Sequence, residues 1–72
     1  MAFTEASLVA QLDPTGTGRT ITLVTYQPGV TNTTVYAVGV IAPYAGRCRW
    51  VDLTSSFTAA QAATQLQNAL TA

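Results

Sequence analysis

The run Arg47-Cys48-Arg49-Trp50, with Tyr44 just before it, holds the densest chemistry in this 72-residue chain. Two guanidiniums, a thiol and two aromatic rings lie close together there. Arginine and tryptophan are enriched where interfaces concentrate their binding energy. In an extended strand Arg47, Arg49 and Val51 share one face, and Cys48, Trp50 and Asp52 the other. Two placements are open. In one, Cys48 and Trp50 enter the core while both arginines face solvent. In the other, the arginines meet carboxylates on a neighbouring subunit and Trp50 or Tyr44 acts as an aromatic anchor. Stacking on single-stranded nucleic acid needs a stronger cationic footprint than two arginines supply.

Catalysis has less to work with. The chain has no histidine, so neither a Cys–His nor a Ser–His pair exists. Cys48 reads as a small buried hydrophobe. Glu5, Asp13 and Asp52 are well separated in sequence and suggest no acid–base pair. Gly16-Thr17-Gly18-Arg19-Thr20 resembles a phosphate loop only in its glycines. The GxxxxGK[ST] spacing and its lysine are missing, and a strand follows instead of a helix. The segment reads as a flexible hairpin loop. Asn32-Thr33-Thr34 fits a glycosylation sequon, which carries little weight without a secretory leader. No catalytic residue, cofactor or metal ligand is assigned, and no enzyme activity is expected.

Charge is scarce. Glu5, Asp13, Asp52, Arg19, Arg47 and Arg49 are the only charged residues, 8% of the chain against roughly 25% in an ordinary soluble domain. The net charge is zero, so the chain offers no field for neutralising phosphates. Such a surface suits a chain largely covered by neighbours. Length leads to the same place. A domain this small draws only about 3–5 kcal/mol from its core and normally adds a disulfide, a metal or a partner. One cysteine and no histidine exclude an internal disulfide and a four-ligand zinc site. Oligomerisation or docking on a larger partner remains.

The longest apolar stretch, Val35 to Ala42, is far shorter than the ~20 residues a membrane span needs. The segment Met-Ala-Phe-Thr-Glu-Ala at the N-terminus shows neither the basic nor the apolar region of a signal peptide. A lone cysteine fits a reducing compartment.

The elements that position these residues follow from pattern and punctuation. Thirteen threonines and seven valines favour extended structure. Thr4 to Leu12 reads two ways. Thr4 can cap a helix with Glu5 near its positive end; alternatively Leu8, Ala10 and Leu12 alternate as in a strand, the reading we favour. Asp13 to Gly18 is a turn or loop. Arg19 to Tyr26 is a strand, with Ile21, Leu23 and Thr25 on one face and Thr20, Thr22, Val24 and Tyr26 on the other. Gln27-Pro28-Gly29 starts a turn extending to Asn32.

Thr33 to Ala42 is the most hydrophobic strand. Val35, Ala37, Gly39 and Ile41 face one way; Tyr36, Val38, Val40 and Ala42 face the other. Both faces are apolar, so each needs a cover. Gly39 marks a bulge or the close approach of another backbone. Pro43 to Gly46 is a turn and Arg47 to Thr54 a further strand. Thr58-Ala59-Ala60-Gln61 is a capping box, with Phe57 before it as a hydrophobic staple. The helix that follows carries an apolar stripe of Ala59, Ala62, Ala63, Leu66, Ala69 and Leu70.

The expected fold is α+β: a three- or four-stranded antiparallel β-meander with one C-terminal amphipathic helix packed on one face, residues 1–72 forming a single small domain. The C-terminal helix covers one face of the central strand. The other is covered by the N-terminal segment or by a second protein, and the second is the reading adopted. The interface candidates are Tyr36, Val38, Val40, Tyr44, Arg47, Arg49 and Trp50.

The expected function is non-enzymatic: a structural or assembly protein, a small multi-copy accessory component of a viral or phage particle, associated with capsid or tail. Its partners are protein, as a homo-oligomer or part of a hetero-assembly, without nucleic acid or membrane. Its place is the virion or the host cytoplasm, reached without a signal peptide. The alternative is a small inhibitor or adaptor that binds one larger host protein.

Overall fold

The computed structural model describes residues 2–13 and 20–72. The elements run α1 (Glu5–Leu12), β1 (Ile21–Pro28), β2 (Asn32–Gly39), β3 (Cys48–Thr54) and α2 (Ala59–Thr71). The three strands form one antiparallel sheet in the order β1-β2-β3, a meander with β2 in the middle. The class is α+β, as the residue pattern predicts. Most of the predicted Asp13–Gly18 turn, and the start of the loop-like Gly16–Thr20 run, lie outside the described residues.

The C-terminal helix starts where its capping box places it. The Gln61 N–H donates to Thr58 Oγ1 at 3.2 Å, and the Thr58 N–H donates to Gln61 Oε1 at 2.9 Å. Two backbone donors that the helix cannot satisfy internally thereby find acceptors. Ala62, Ala63, Leu66 and Leu70 are buried, with Ala59 and Ala69 packed against the same core. Phe57, one residue ahead of the cap, is half-buried against it.

The N-terminal segment is a helix and not the strand favoured from sequence. Thr4 caps it through a second reciprocal pair: the Ser7 N–H donates to Thr4 Oγ1 at 3.1 Å, and the Thr4 N–H donates to Ser7 Oγ at 2.8 Å. Serine here does the work usually given to Glu or Gln. Leu8 and Leu12, four apart, are buried with Phe3, whereas Ala10 is exposed. A strand would have put all three of Leu8, Ala10 and Leu12 on one face; the helix needs only the first and last. The sheet therefore stops at three strands.

Both helices cover the same side of the sheet. α1 packs on β1 and α2, and α2 packs on β3 and β2. On that side stand Ile21 and Leu23 of β1, Thr33, Val35 and Ala37 of β2, and Val51 and Leu53 of β3. The pairing of β1 slips between Leu23 and Thr25, so Val24 is an extra residue. Such a bulge reverses the alternation beyond it. Tyr26 opposite Val35 thus joins Ile21 and Leu23 on the covered side, and Thr25 opposite Tyr36 goes to the other. This corrects the simple alternation expected for residues 19–26.

β2 also ends earlier than predicted, at Gly39 instead of Ala42. The chain leaves the sheet through a turn in which the Tyr44 and Ala45 N–H groups both donate to the Ile41 carbonyl, at 2.8 and 3.1 Å. The turn folds back until the Tyr44 backbone lies against Gly39, where a Cβ would overlap the Tyr44 carbonyl oxygen. The close approach expected at Gly39 is thus made by the chain's own backbone. Val40 still donates its N–H to the Thr20 carbonyl at 2.9 Å, and Val40 and Ile41 are about half exposed, at 52% and 47%.

Two substitutions test this packing. Gly39→Ala should destabilise the chain by about 1–3 kcal/mol, the usual cost of overpacking a tight contact. Thr58→Ala should cost about 1 kcal/mol through loss of the cap. Denaturant unfolding measures both; an unchanged midpoint would mean, respectively, that the turn lies elsewhere or that the helix starts elsewhere.

Candidate functional site

With both helices on one side, the other side of the sheet has no cover from the described residues. Three full cross-strand rows cross it, Thr22–Val38–Cys48, Thr25–Tyr36–Trp50 and Gln27–Thr34–Asp52, and the Asn32–Thr54 pair lies beyond the last. Each row takes one residue from each strand. Asp52 is the one charged group among them.

The middle row carries the largest apolar area. Tyr36 and Trp50 are directly opposite, with ring centroids 5.1 Å apart and planes tilted by 52°. The register places them in a non-hydrogen-bonded pair, the closer of the two antiparallel spacings. Tilted rings at this separation attract through their quadrupoles. Even so, Trp50 remains 56% exposed. In the next row Thr34 Oγ1 donates to Asp52 Oδ1 at 2.9 Å, which fixes the carboxylate along the sheet. On the other side of the aromatic pair, a hydrogen bond with the Cys48 side chain raises the Tyr36 phenol above its usual pKa.

The predicted interface residues divide by position. Tyr36, Val38 and Trp50 lie together on the uncovered face. Val40 is exposed in the following turn, and Tyr44 is half-buried, packed against the core. Arg47 precedes β3. Arg49, opposite Ala37, points to the helix side, where both arginines line a groove with Ala69, Leu70 and Ala72 of the C-terminal end of α2. Positive charge is favourable near the carbonyl end of a helix.

The reading that buried Cys48 and Trp50 is overturned. Val51 and Leu53 take the core positions on β3, at 6% and 0% exposure, and Cys48 is an exposed free thiol. The alternation along β3 was right; the face chosen for the core was not. The branched aliphatic pair Val51 and Leu53 fits beneath an alanine-lined helix better than an indole does. Cys48 and Asp52 were within reach of sequence reasoning once Trp50 was placed outside. Thr25 was not, because the bulge that turns it outward has no marker in Leu23-Val24-Thr25.

This face can pack apolar surface and exchange hydrogen bonds through hydroxyl, amide and carboxylate groups. Among the described residues no group of three or more His, Cys, Asp or Glu side chains comes together, and no helix is long and apolar enough to cross a membrane. Comparison of the chain with protein-family models, curated proteins and solved structures finds no match.

On the covered side, burial raises the pKa of Tyr26 above its ordinary 10.0, with Glu5 adding to the rise and a hydrogen bond with Thr33 opposing it. The folded state thus favours the neutral phenol. That contribution is complete below pH 10 and is lost as pH rises through the folded pKa. Thermal unfolding midpoints should therefore fall above pH 10, and Tyr26→Phe should make that fall shallower. An identical alkaline profile in the variant would show that Tyr26 titrates alike in both states.

Proposed function

We propose that this chain is a non-enzymatic assembly protein that works through the uncovered face of its sheet. Its setting is a viral or phage particle, in which it is a small multi-copy accessory component of capsid or tail. The observation that carries the reading is the Tyr36–Trp50 pair, a large aromatic surface held rigid by the ladder and left exposed. Aromatic side chains on a rigid scaffold bury much area at low entropic cost, and they recur at the energetic centres of interfaces.

Three further features support it. The uncovered rows contain a single charge, so covering them desolvates little that is ionic. The chain as a whole is neutral, so copies do not repel one another at long range. The chain also has no disulfide to draw on, and burial against a partner supplies stability to a domain of this size. The assignment to a particle rests on composition, a short neutral chain rich in Thr, Ala and Val. The positions of Arg47 and Arg49 beside α2 take them away from the aromatic pair, which weakens any reading based on nucleic-acid stacking.

Sedimentation velocity and native mass measurement over the micromolar range test the proposal. The chain should self-associate in symmetric multiples, and Trp50→Ser should weaken association at least tenfold. The unfolding midpoint of the dilute variant should change little, because the indole is mostly exposed within one chain. A stable monomer at every concentration, or one that binds a single larger protein one to one, would replace this reading with that of an inhibitor or adaptor.

A further inference from the structure

The two margins of the sheet are unlike. At the β1 margin Val24 interrupts the ladder as a bulge, and Pro28 lacks an N–H. Both are devices that discourage a further strand from pairing. β3 has neither. Its hydrogen-bonding phase follows from two bonds at its ends. The Gly39 N–H donates to the Arg47 carbonyl at 2.7 Å, and the Ser55 N–H donates to the Thr31 carbonyl at 2.8 Å. An antiparallel ladder alternates, so Arg47, Arg49, Val51, Leu53 and Ser55 turn their backbone groups toward β2. Cys48, Trp50 and Asp52 therefore turn theirs outward, and all three are exposed.

The sheet face alone is small. Three strands about 4.8 Å apart, each rising about 3.4 Å per residue over some six residues, span roughly 300 Å² of flat area. A stable dimer commonly buries about 800 Å² per partner. An occupant must reach past the face, and the unpaired margin of β3 adjoins it.

We infer that β3 pairs antiparallel with β3 of a second copy about a two-fold axis at Trp50, joining two three-stranded sheets into one of six strands. This rests on the assembly reading above and specifies its partner and geometry. Outward-turned residues must oppose outward-turned residues, which limits the axis to one residue position at a time. An axis at Cys48 opposes Arg47 to Arg49 of the second copy, one at Arg49 opposes the two Arg49 side chains, and one at Asp52 opposes the two carboxylates. Like charges directly opposite are unfavourable.

An axis at Val51 opposes each Trp50 to an Asp52. The axis at Trp50 avoids this. It opposes Cys48 to Asp52 and Trp50 to Trp50, and places Arg49 and Arg47 opposite Val51 and Leu53 of the second copy, so no like charges meet. The middle row then continues across the seam as four aromatic rings, Tyr36 and Trp50 from each chain.

Amide hydrogen exchange on the full chain, at concentrations either side of association, reads the margin directly. The Cys48, Trp50 and Asp52 amides should slow at least tenfold on association. Disulfide trapping reads the register. Asp52→Cys beside the native Cys48 should oxidise to a dimer linked between those two positions, since opposed residues in a hydrogen-bonded pair lie about 5.5 Å apart. The native chain should not link through Cys48, because its two copies would lie about 14 Å apart. Linkage of the native chain through Cys48, or an associated Asp52→Cys chain that does not link, overturns the axis. A chain that associates while all three amides exchange as fast as in dilute solution overturns edge pairing and leaves the assembly reading standing. A chain that never associates overturns both.

Discussion

The burial of one side of β2 is the constraint on which the rest of the structure depends. Thr33, Val35 and Ala37 are fully buried, and Gly39 closes the row. As the middle strand, β2 is hydrogen-bonded along both margins, so it cannot tilt or slip without breaking two ladders. Small side chains at Ala37 and Gly39 let the Ile41–Arg47 turn and the helix layer come close. The alanines of α2 make the matching concession from above. Even the buried hydroxyl fits the pattern: Thr33 sits where the Tyr26 phenol can hydrogen-bond to it, so its burial leaves no orphaned polar group.

That arrangement commits both helices to one side. A helix at residues 5–12 cannot add an edge strand, and its Leu8 and Leu12 find cover only in the core that α2 already lines. The double-sided apolar character of β2 therefore goes half unmet within the chain. Val35 and Ala37 are sheltered, whereas Tyr36 and Val38 are only half-buried among their cross-strand neighbours. The aromatic pair lessens the exposure by setting one tilted ring against the other. It does not remove it, because a ladder neighbour shields only the flank of a side chain.

What the residues alone revealed depended on whether a signal was local. The Thr58–Gln61 box and the alanine-leucine stripe are local, and α2 lies where they place it. The Thr4–Ser7 pair is equally local, but serine at that position is a weaker marker than glutamine, and the spacing of Leu8, Ala10 and Leu12 suited a strand as well. The three strands were legible from β-branched runs and from Pro and Gly between them. The faces were not. The bulge at Val24 is set by pairing with β2, and the choice of Val51 and Leu53 over Cys48 and Trp50 is set by the helix above them. Both are tertiary effects, which no alternation within one strand can report. The interface candidates fared accordingly. Tyr36, Val38 and Trp50 were found together, while Arg47 and Arg49 went to the helix side.

The two margins of the sheet are treated differently by the sequence. A chain selected to remain alone gains from blunting both edges of a small sheet, because an unpaired strand is a template for association. Here a bulge and a proline stand on β1, and the margin beside Trp50 is left regular. The protected margin borders the threonine-rich end of the rows; the unprotected one borders their aromatic end. Apolar area and free backbone groups thus meet along one line. Neither would suffice alone: the face is too small to hold a partner by burial, and a short margin in water gains little from exchanging solvent hydrogen bonds for protein ones. Together they favour the β3 margin over the β1 margin as the place for a further strand, and under the proposed pairing association would end in a closed pair or continue only through a different surface.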